Sequence, residues 1–583
     1  MKDLNSSIKN NNLLLIILTI FLITRIINFK NWMWYEWFSE VVWVTELISI
    51  WSWFINAFPH FPFAFILYKI WALLTWNTII WVKAMHIFLN ILTFLLIYKA
   101  ALLFYNDKKV ANWSVLLYTI SFYAYAWNTM WIDQDLALNP LLFILSLYLY
   151  KKLDLSKFKN IILLWLSCAL LSSSRLILWV IVIWIIFIDI LINQIYSQWK
   201  FFKFKNFWQS LLHFLKLFVP YVLITSVLIY LMYIIFPDAV ISELITYKKL
   251  FLWNSWHESN LLTRISFLWQ VFLYVSPLIL CIFPLFKNFK KHQLLLVSSA
   301  IMIMYMLVWT SGWDPARWMM PILPIFTILW WVVCSQYINK KNWWLIFLVA
   351  LWLCILNFIY LDYSLLPINV NDYLVSPLNK VFILTTTIFA PIYLNSKLIF
   401  GIVWLTIVFL LLAILWNNKI SRYIFISFVL WVNMFLVVTD IFQIKQPHIT
   451  DILVKMSEFC NDNCSIDDII YADQFTKELA VMWLWNKYIW SYFAFNLENN
   501  VVEINDKLHN NPFLLSWINL FSQNFPISDY IGTIKGNWPW FVFITHYFGN
   551  EEEINVLNEK CNLVRIFKWN IDEIYWIVFW CNF

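Results

Sequence analysis

The chain has 583 residues, of which 62% are hydrophobic and 13% charged, and its mean hydropathy is +0.72. A soluble domain is roughly 45–50% apolar and about 25% charged, so a soluble globular fold and a disordered chain are both excluded and a polytopic α-helical membrane protein is expected. The net charge of +7 is unevenly spread: residues 446–583 hold 8 Lys and Arg against 17 Asp and Glu, leaving 32 basic against 16 acidic residues in 1–445.

In chain order, the first apolar run is "LLLIILTIFLITRIINF" (13–29). It lacks a small-residue cleavage site, so it is read as a retained helix rather than a removed signal peptide. Basic clusters then punctuate the apolar runs: "NDKK" (106–109), "KKLDLSKFK" (151–159), "KFFKFK" (200–205), "KNFKKH" (287–292), "NKKN" (339–342) and "NNKISR" (417–422). The positive-inside rule puts these loops in the cytoplasm. Spans of about 20 residues threaded through them give about thirteen helices, near 13–29, 83–105, 111–130, 136–150, 161–175, 177–194, 212–236, 263–286, 293–309, 318–336, 343–361, 399–416 and 423–441, with the N-terminus inside and everything from 442 onward outside. Residues 1–441 are thus expected to form a transmembrane domain and 442–583 a small extracytoplasmic α/β domain. In that tail "SIDDIIYAD", "KYIWSYFAFN", "WPWFVFITHYF" and "IDEIYWIVFW" are β-favouring runs, and "EEEINVLNEKC" is a polar helical stretch. Of the eight cysteines, Cys460, Cys464, Cys561 and Cys581 lie in the tail. An even set outside the cytosol permits the local pairings Cys460–Cys464 and Cys561–Cys581, with four free thiols as the alternative.

Five Gly and 40 Trp invert the usual balance, since Gly averages about 7% of residues. Trp precedes Asn at turn-like sites (Trp76, Trp253, Trp416, Trp485, Trp569), where glycine would supply a positive φ, and sits in mid-span at Trp165 and Trp179, away from the interfacial belts that it prefers. Two readings follow: an aromatic-rich membrane protein, or a gene that reads UGA as glycine and is written here with tryptophan.

Chemistry-bearing residues cluster in the expected outer loops. The first, 28–77, holds "YEWFS" (35–39) and "HFPFAFILYKI" (60–70). A second holds Asp133 and Asp135 within "MWIDQDLALNPLLF" (130–143), and "WHESN" places His257 beside Glu258 in a third. Arg175 lies between apolar runs in "LSCALLSSSRLILWVIVI" (166–183), and an arginine at membrane depth is costly unless it has a partner or a function. Arg317 stands in "WDPARWMMPILPI" (313–325).

In order and placement these motifs resemble the GT-C superfamily of membrane glycosyltransferases, which includes protein O-mannosyltransferases and the bacterial aminoarabinose transferase acting on lipid A. "YEWFS" is similar to that family's acidic "DEAFS" loop, with Glu36 on the second acid, Tyr35 in place of the first, and Glu40 and Glu46 nearby as fallbacks. "HFPFAFILYKI" is similar to "HPPLYYLLLKL", although Phe61 interrupts the proline pair and Phe63 replaces its second member. "VKAMHIFLNILTFLLIY" (82–98) resembles the next span with Lys83 where Arg is usual, and "PARWMMPILP" resembles "PRYLLPLLP" with Arg317 on its arginine. The resemblance covers about residues 13–335. It implies an outer-face transferase that moves a sugar from a polyprenyl-phosphate donor to a lipid, glycan or protein acceptor. Glu36 would be the base, Asp133 or Asp135 would orient the acceptor or hold a divalent cation, and His60, Arg175 and Arg317 would contact phosphate, with His257 near substrate. No nucleic-acid partner is expected. The alternative is a lipid or solute transporter or flippase with an outer binding domain, although no internal repeat is visible and no Walker-type phosphate loop is present.

Overall fold

In the computed structural model the described residues are 12–26, 63–74, 79–121, 137–197, 204–235, 285–309, 320–337, 396–443, 469–472, 494–496, 501–503, 539–545, 551–568 and 575–582, with a few isolated positions. Twelve helices precede the first strand among them: α1 Asn12–Ile26, α2 Phe63–Leu74, α3 Ile79–Tyr105, α4 Lys108–Ile120, α5 Leu138–Lys152, α6 Phe158–Ser174, α7 Leu176–Ser197, α8 Phe204–Ile235, α9 Phe289–Trp309, α10 Leu323–Tyr337, α11 Ser396–Trp416 and α12 Lys419–Gln443. The helix α2 was not among the expected spans; it lies within the expected first outer loop. The spans expected at 263–286 and 343–361 lie outside the described residues except for 285, 286 and 344. By length and composition, Ala84–Tyr105 and Phe214–Ile234 could each cross a membrane, and Asn12–Ile26, Phe158–Ser174 and Leu323–Gln336 are among the shorter apolar helices.

The helices pack with α3 against α4 and α5, α6 against α5 and α8, α10 against α4, α7 against α9, and α1 against α4. The helix α8 shows why. Phe214, Leu217, Tyr221 and Thr225 recur at helical spacing and are buried, while Leu212, Val219, Leu223, Val227 and Leu231 are exposed along its length. Both faces are apolar, which is the pattern of a helix that meets protein on one side and a non-aqueous solvent on the other.

Side-chain bonds fix which helix ends lie together. The turn from α3 to α4 uses Asn106 in the left-handed region (φ 50°), which Asn tolerates, and then Asp107, whose carboxylate accepts from Lys109 N and caps α4. The turn from α5 to α6 is closed by Asp154, which accepts from the Ser156 hydroxyl (2.7 Å) and amide (3.1 Å). Those bonds, the hydroxyl's first, hold the Asp154 carboxyl below its ordinary pKa, and Lys157 adds to the effect. The Tyr105 hydroxyl at the end of α3 meets His292 Nδ1 near the start of α9 at 2.9 Å. Next to it, Gln293 Nε2 donates to Asp189 Oδ1 at 2.8 Å, and the Tyr150 hydroxyl and Asn193 Nδ2 donate to Oδ2 at 3.0 and 3.1 Å. The ends of α3, α5 and α7 and the starts of α4, α6 and α9 therefore share one end of the bundle, which carries the "NDKK", "KKLDLSKFK" and "KNFKKH" clusters. The helix α8 starts six residues after α7 stops, and so belongs there too.

The turn from α11 to α12 corrects one expectation. The residue with positive φ is Asn417 (39°), whose side chain accepts from Arg422 Nη2 at 2.7 Å. Trp416 simply ends α11, so that turn makes no demand for glycine at position 416.

In the tail the described elements are β1 Ile469–Ala472, β2 Ala494–Asn496, β3 Val501–Glu503, β4 Pro539–Thr545, α13 Glu551–Lys560, β5 Asn562–Lys568 and β6 Tyr575–Asn582. A mixed sheet runs β1-β4-β6-β5, with β1 parallel to β4 and the other two pairs antiparallel, and β2 and β3 form a separate antiparallel pair. Each of the four β-favouring runs supplies a strand, and "EEEINVLNEKC" supplies α13. Ile577, Val578 and Phe579 are buried in β6, the central partner of β4 and β5. Cys561 is disulfide-bonded, and the register of Asn562 opposite Trp580 sets position 561 beside 581, as the expected local pairing requires of the backbone. Cys168 and Cys334 are free and buried.

Candidate active site

Of the site residues expected from sequence, Arg175 is described. Glu36, His60, Asp133, Asp135, His257 and Arg317 lie outside the described residues. Arg175 is the single extended residue (φ −151°, ψ 108°) between α6 and α7, and its amide donates to Leu171 O at 2.8 Å. It is buried. Just before it, the Ser174 hydroxyl donates to Asn139 Oδ1 at 2.7 Å, which ties the end of α6 to the first turn of α5. Asp135 precedes Asn139 by four positions in the chain.

A second buried guanidinium escaped the sequence reading. Arg25, in the last turn of α1, is 0% exposed. Its Nη1 donates to Thr24 Oγ1 at 2.8 Å and to Thr119 O at 2.7 Å, and its Cζ lies 4.2 Å from the centre of the Phe21 ring. Thr119 is in the last turn of α4, where carbonyls lack intrahelical donors and the helix dipole favours a cation. The available signal was a lone Arg within "FLITRIIN", the same cost argument that marked Arg175. Buried polar groups also run across α2, α3 and α4: the Tyr68 hydroxyl meets His86 Nδ1 at 3.2 Å, Asn90 Nδ2 donates to His86 O at 3.0 Å, and the Tyr118 hydroxyl donates to Asn90 Oδ1 at 3.4 Å. His86 and Asn90 at i, i+4 inside an apolar run were legible as one helix face.

The polarity of the bundle gives these residues a common place. Because α4 and α6 both start at the basic end, both finish at the opposite one. Arg25, bonded to the end of α4, and Arg175, at the end of α6, therefore lie at the end away from the basic turns. The connection that carries Glu36 and His60 follows α1 there, and the connection with Asp133 and Asp135 follows α4. Those with His257 and Arg317 follow α8 and α9, which also start at the basic end. Among the described residues, no group of three His, Cys, Asp or Glu could hold a metal ion.

This arrangement is a fold shared with solved structures. The crystal structure of ArnT from Cupriavidus metallidurans in the apo state superposes with a TM-score of 0.60 at 10% identity, covering 97% of each chain. The structure of the same protein bound to undecaprenyl phosphate superposes with a TM-score of 0.55 at 10% identity, covering 98% of each chain. No protein-family model matches the sequence, and no curated protein matches it.

Proposed function

We propose that the chain is a multi-pass inner-membrane glycosyltransferase that moves a hexosyl or pentosyl group, with inversion, from a polyprenyl-phosphate donor to a lipid, glycan or protein acceptor on the outer face. In this reading residues 1–441 form the catalytic domain with the N-terminus in the cytoplasm, and 442–583 form an extracytoplasmic domain. The observation that carries it is that two buried guanidinium groups, Arg25 and Arg175, lie at the bundle end away from the basic turns, in a fold shared with a protein solved with undecaprenyl phosphate. The disulfide at Cys561 supports an outer location for the tail, because such bonds persist outside the cytosol. The exposed apolar stripe of α8 supports lipid contact.

The reaction is a single displacement. Glu36 removes the acceptor hydroxyl proton as the oxygen attacks the anomeric carbon. The bond from that carbon to the phosphate oxygen breaks, and polyprenyl phosphate leaves with the electron pair. Arg175, Arg317 and His60 stabilise the charge that develops on the phosphate. Asp133 and Asp135 orient the acceptor, or hold a divalent cation that would polarise the phosphate. His257 is assigned to substrate contact.

The test is release of polyprenyl phosphate from radiolabelled polyprenyl-phosphate sugars by the purified chain in lipid nanodiscs. Transfer of label to an acceptor, lost in Glu36→Gln, is the expected result. Transport of an intact labelled lipid across the bilayer, with no cleavage of the sugar, would favour the flippase reading instead.

A further inference from the structure

We infer that positions 165 and 330, and most of the 40 tryptophans of the chain, are glycines in the protein as its own cell makes it, because the gene reads UGA as glycine. The inference stands apart from the proposed reaction. Composition raises it: 5 Gly against 40 Trp, where glycine normally holds about 7% of positions and membrane helices are rich in it.

The structure adds where the indoles fall. Trp165 in α6 and Trp330 in α10 are each 0% exposed, and neither indole Nε1 has a hydrogen-bond partner among the described residues. Trp is normally buried only where its N–H finds an acceptor, and an orphaned donor bears the full desolvation penalty. The Trp165 ring sits 4.5 Å from Tyr221 across the α6–α8 contact. Three indoles crowd the α4–α10 contact, with Trp113 4.6 Å from Trp331 and Trp330 5.5 Å from Trp331. These are places where membrane helices use small residues to bring backbones together. A second group faces outward: Trp184 is 52% and Trp431 53% exposed, and each lies in the interior of a long apolar helix rather than near an end, where an interfacial indole belongs. Ring contacts are made in both groups, but Trp165 and Trp330 leave their N–H groups orphaned among the described residues, and the exposed indoles lie away from the interfaces that favour tryptophan. Both fit positions filled without regard to side-chain size.

Trypsin cutting after Lys159 and Arg175 releases Asn160–Arg175, which contains Trp165 and no other tryptophan. Mass spectrometry of that peptide from the native cell should find it lighter by the difference between a tryptophan and a glycine residue. A tryptophan mass overturns the inference. As an independent measure, two synthetic genes expressed in a standard host would differ only in the doubly substituted Trp165→Gly, Trp330→Gly chain. The substituted chain should give a greater monodisperse yield and a higher Tm in detergent. A loss of yield and Tm, the usual result of emptying a truly aromatic core, counts against it.

Discussion

Arg25 and Thr119, 94 positions apart in the chain, join two helices: the guanidinium of one, at 2.7 Å, closes the last turn of the other. The connection bearing Glu36 and His60 begins just beyond Arg25, and the one bearing Asp133 and Asp135 begins just beyond Thr119. A single buried cation thus sets the separation of the two exits. Arg25→Met should lower stability by about 1.5–3 kcal/mol, the range for a hydrogen bond to a charged group, read as a fall in Tm in detergent. Arg25→Lys keeps the charge and should recover part of it. Equal loss in both variants would show that the planar fork, rather than the charge, is what matters.

Glu36→Gln should abolish sugar transfer while leaving expression and membrane insertion intact, because it removes a base but almost no volume. Unchanged turnover with a radiolabelled donor would move the base to Glu40, to an aspartate, or nowhere.

Arg175→Met should weaken binding of undecaprenyl phosphate by about 10-fold or more, from the loss of one charge-assisted contact, measured with the lipid titrated into nanodisc-held protein. The backbone at this position is extended, and methionine adopts that as readily as arginine does. Unaltered affinity would leave Arg175 a structural residue between α6 and α7.

Asp189 provides the contrasting case. Its carboxylate accepts from Tyr150, Asn193 and Gln293, so Asp189→Asn turns an acceptor into a donor facing donors. A loss of about 1–3 kcal/mol is expected, visible in Tm, with transfer by the surviving folded protein unchanged. A selective loss of transfer at constant Tm would connect the basic end to the chemistry.

Helix positions were largely legible, because twenty-residue apolar runs between basic clusters admit few alternatives. The α5–α6 and α11–α12 turns fall where "KKLDLSKFK" and "NNKISR" mark them. The helix α2 was passed over because its twelve residues are too few to span a bilayer and so resembled part of a loop. Asp189 carries no local signal, because two of its three partners, Tyr150 and Gln293, come from other helices and leave no trace in local spacing. Arg175 stands out in the sequence because its cost in an apolar run is a one-residue signal, and the structure buries it. Arg25 carried the same signal and was missed because it lies near a helix end, where snorkelling offers a cheaper explanation. Which side chains meet across helices depends on packing, and packing is not written in periodicity.

The helix α6 has 17 residues, about 25 Å at 1.5 Å per residue, against a hydrocarbon thickness of about 30 Å. In the proposed topology its first residue sits at the cytoplasmic boundary, so that the helix would stop short of the far one and Arg175 would stand below the headgroup plane. In the proposed reaction a donor that reaches that guanidinium must sink its phosphate into the protein and leave bulk water behind. The reactive carbon would then meet the acceptor in a poorly hydrated chamber, where water is a scarce competitor. The expected signature is a low rate of donor hydrolysis when no acceptor is supplied, rising when α6 is lengthened by one turn and its terminal arginine is lifted toward the surface.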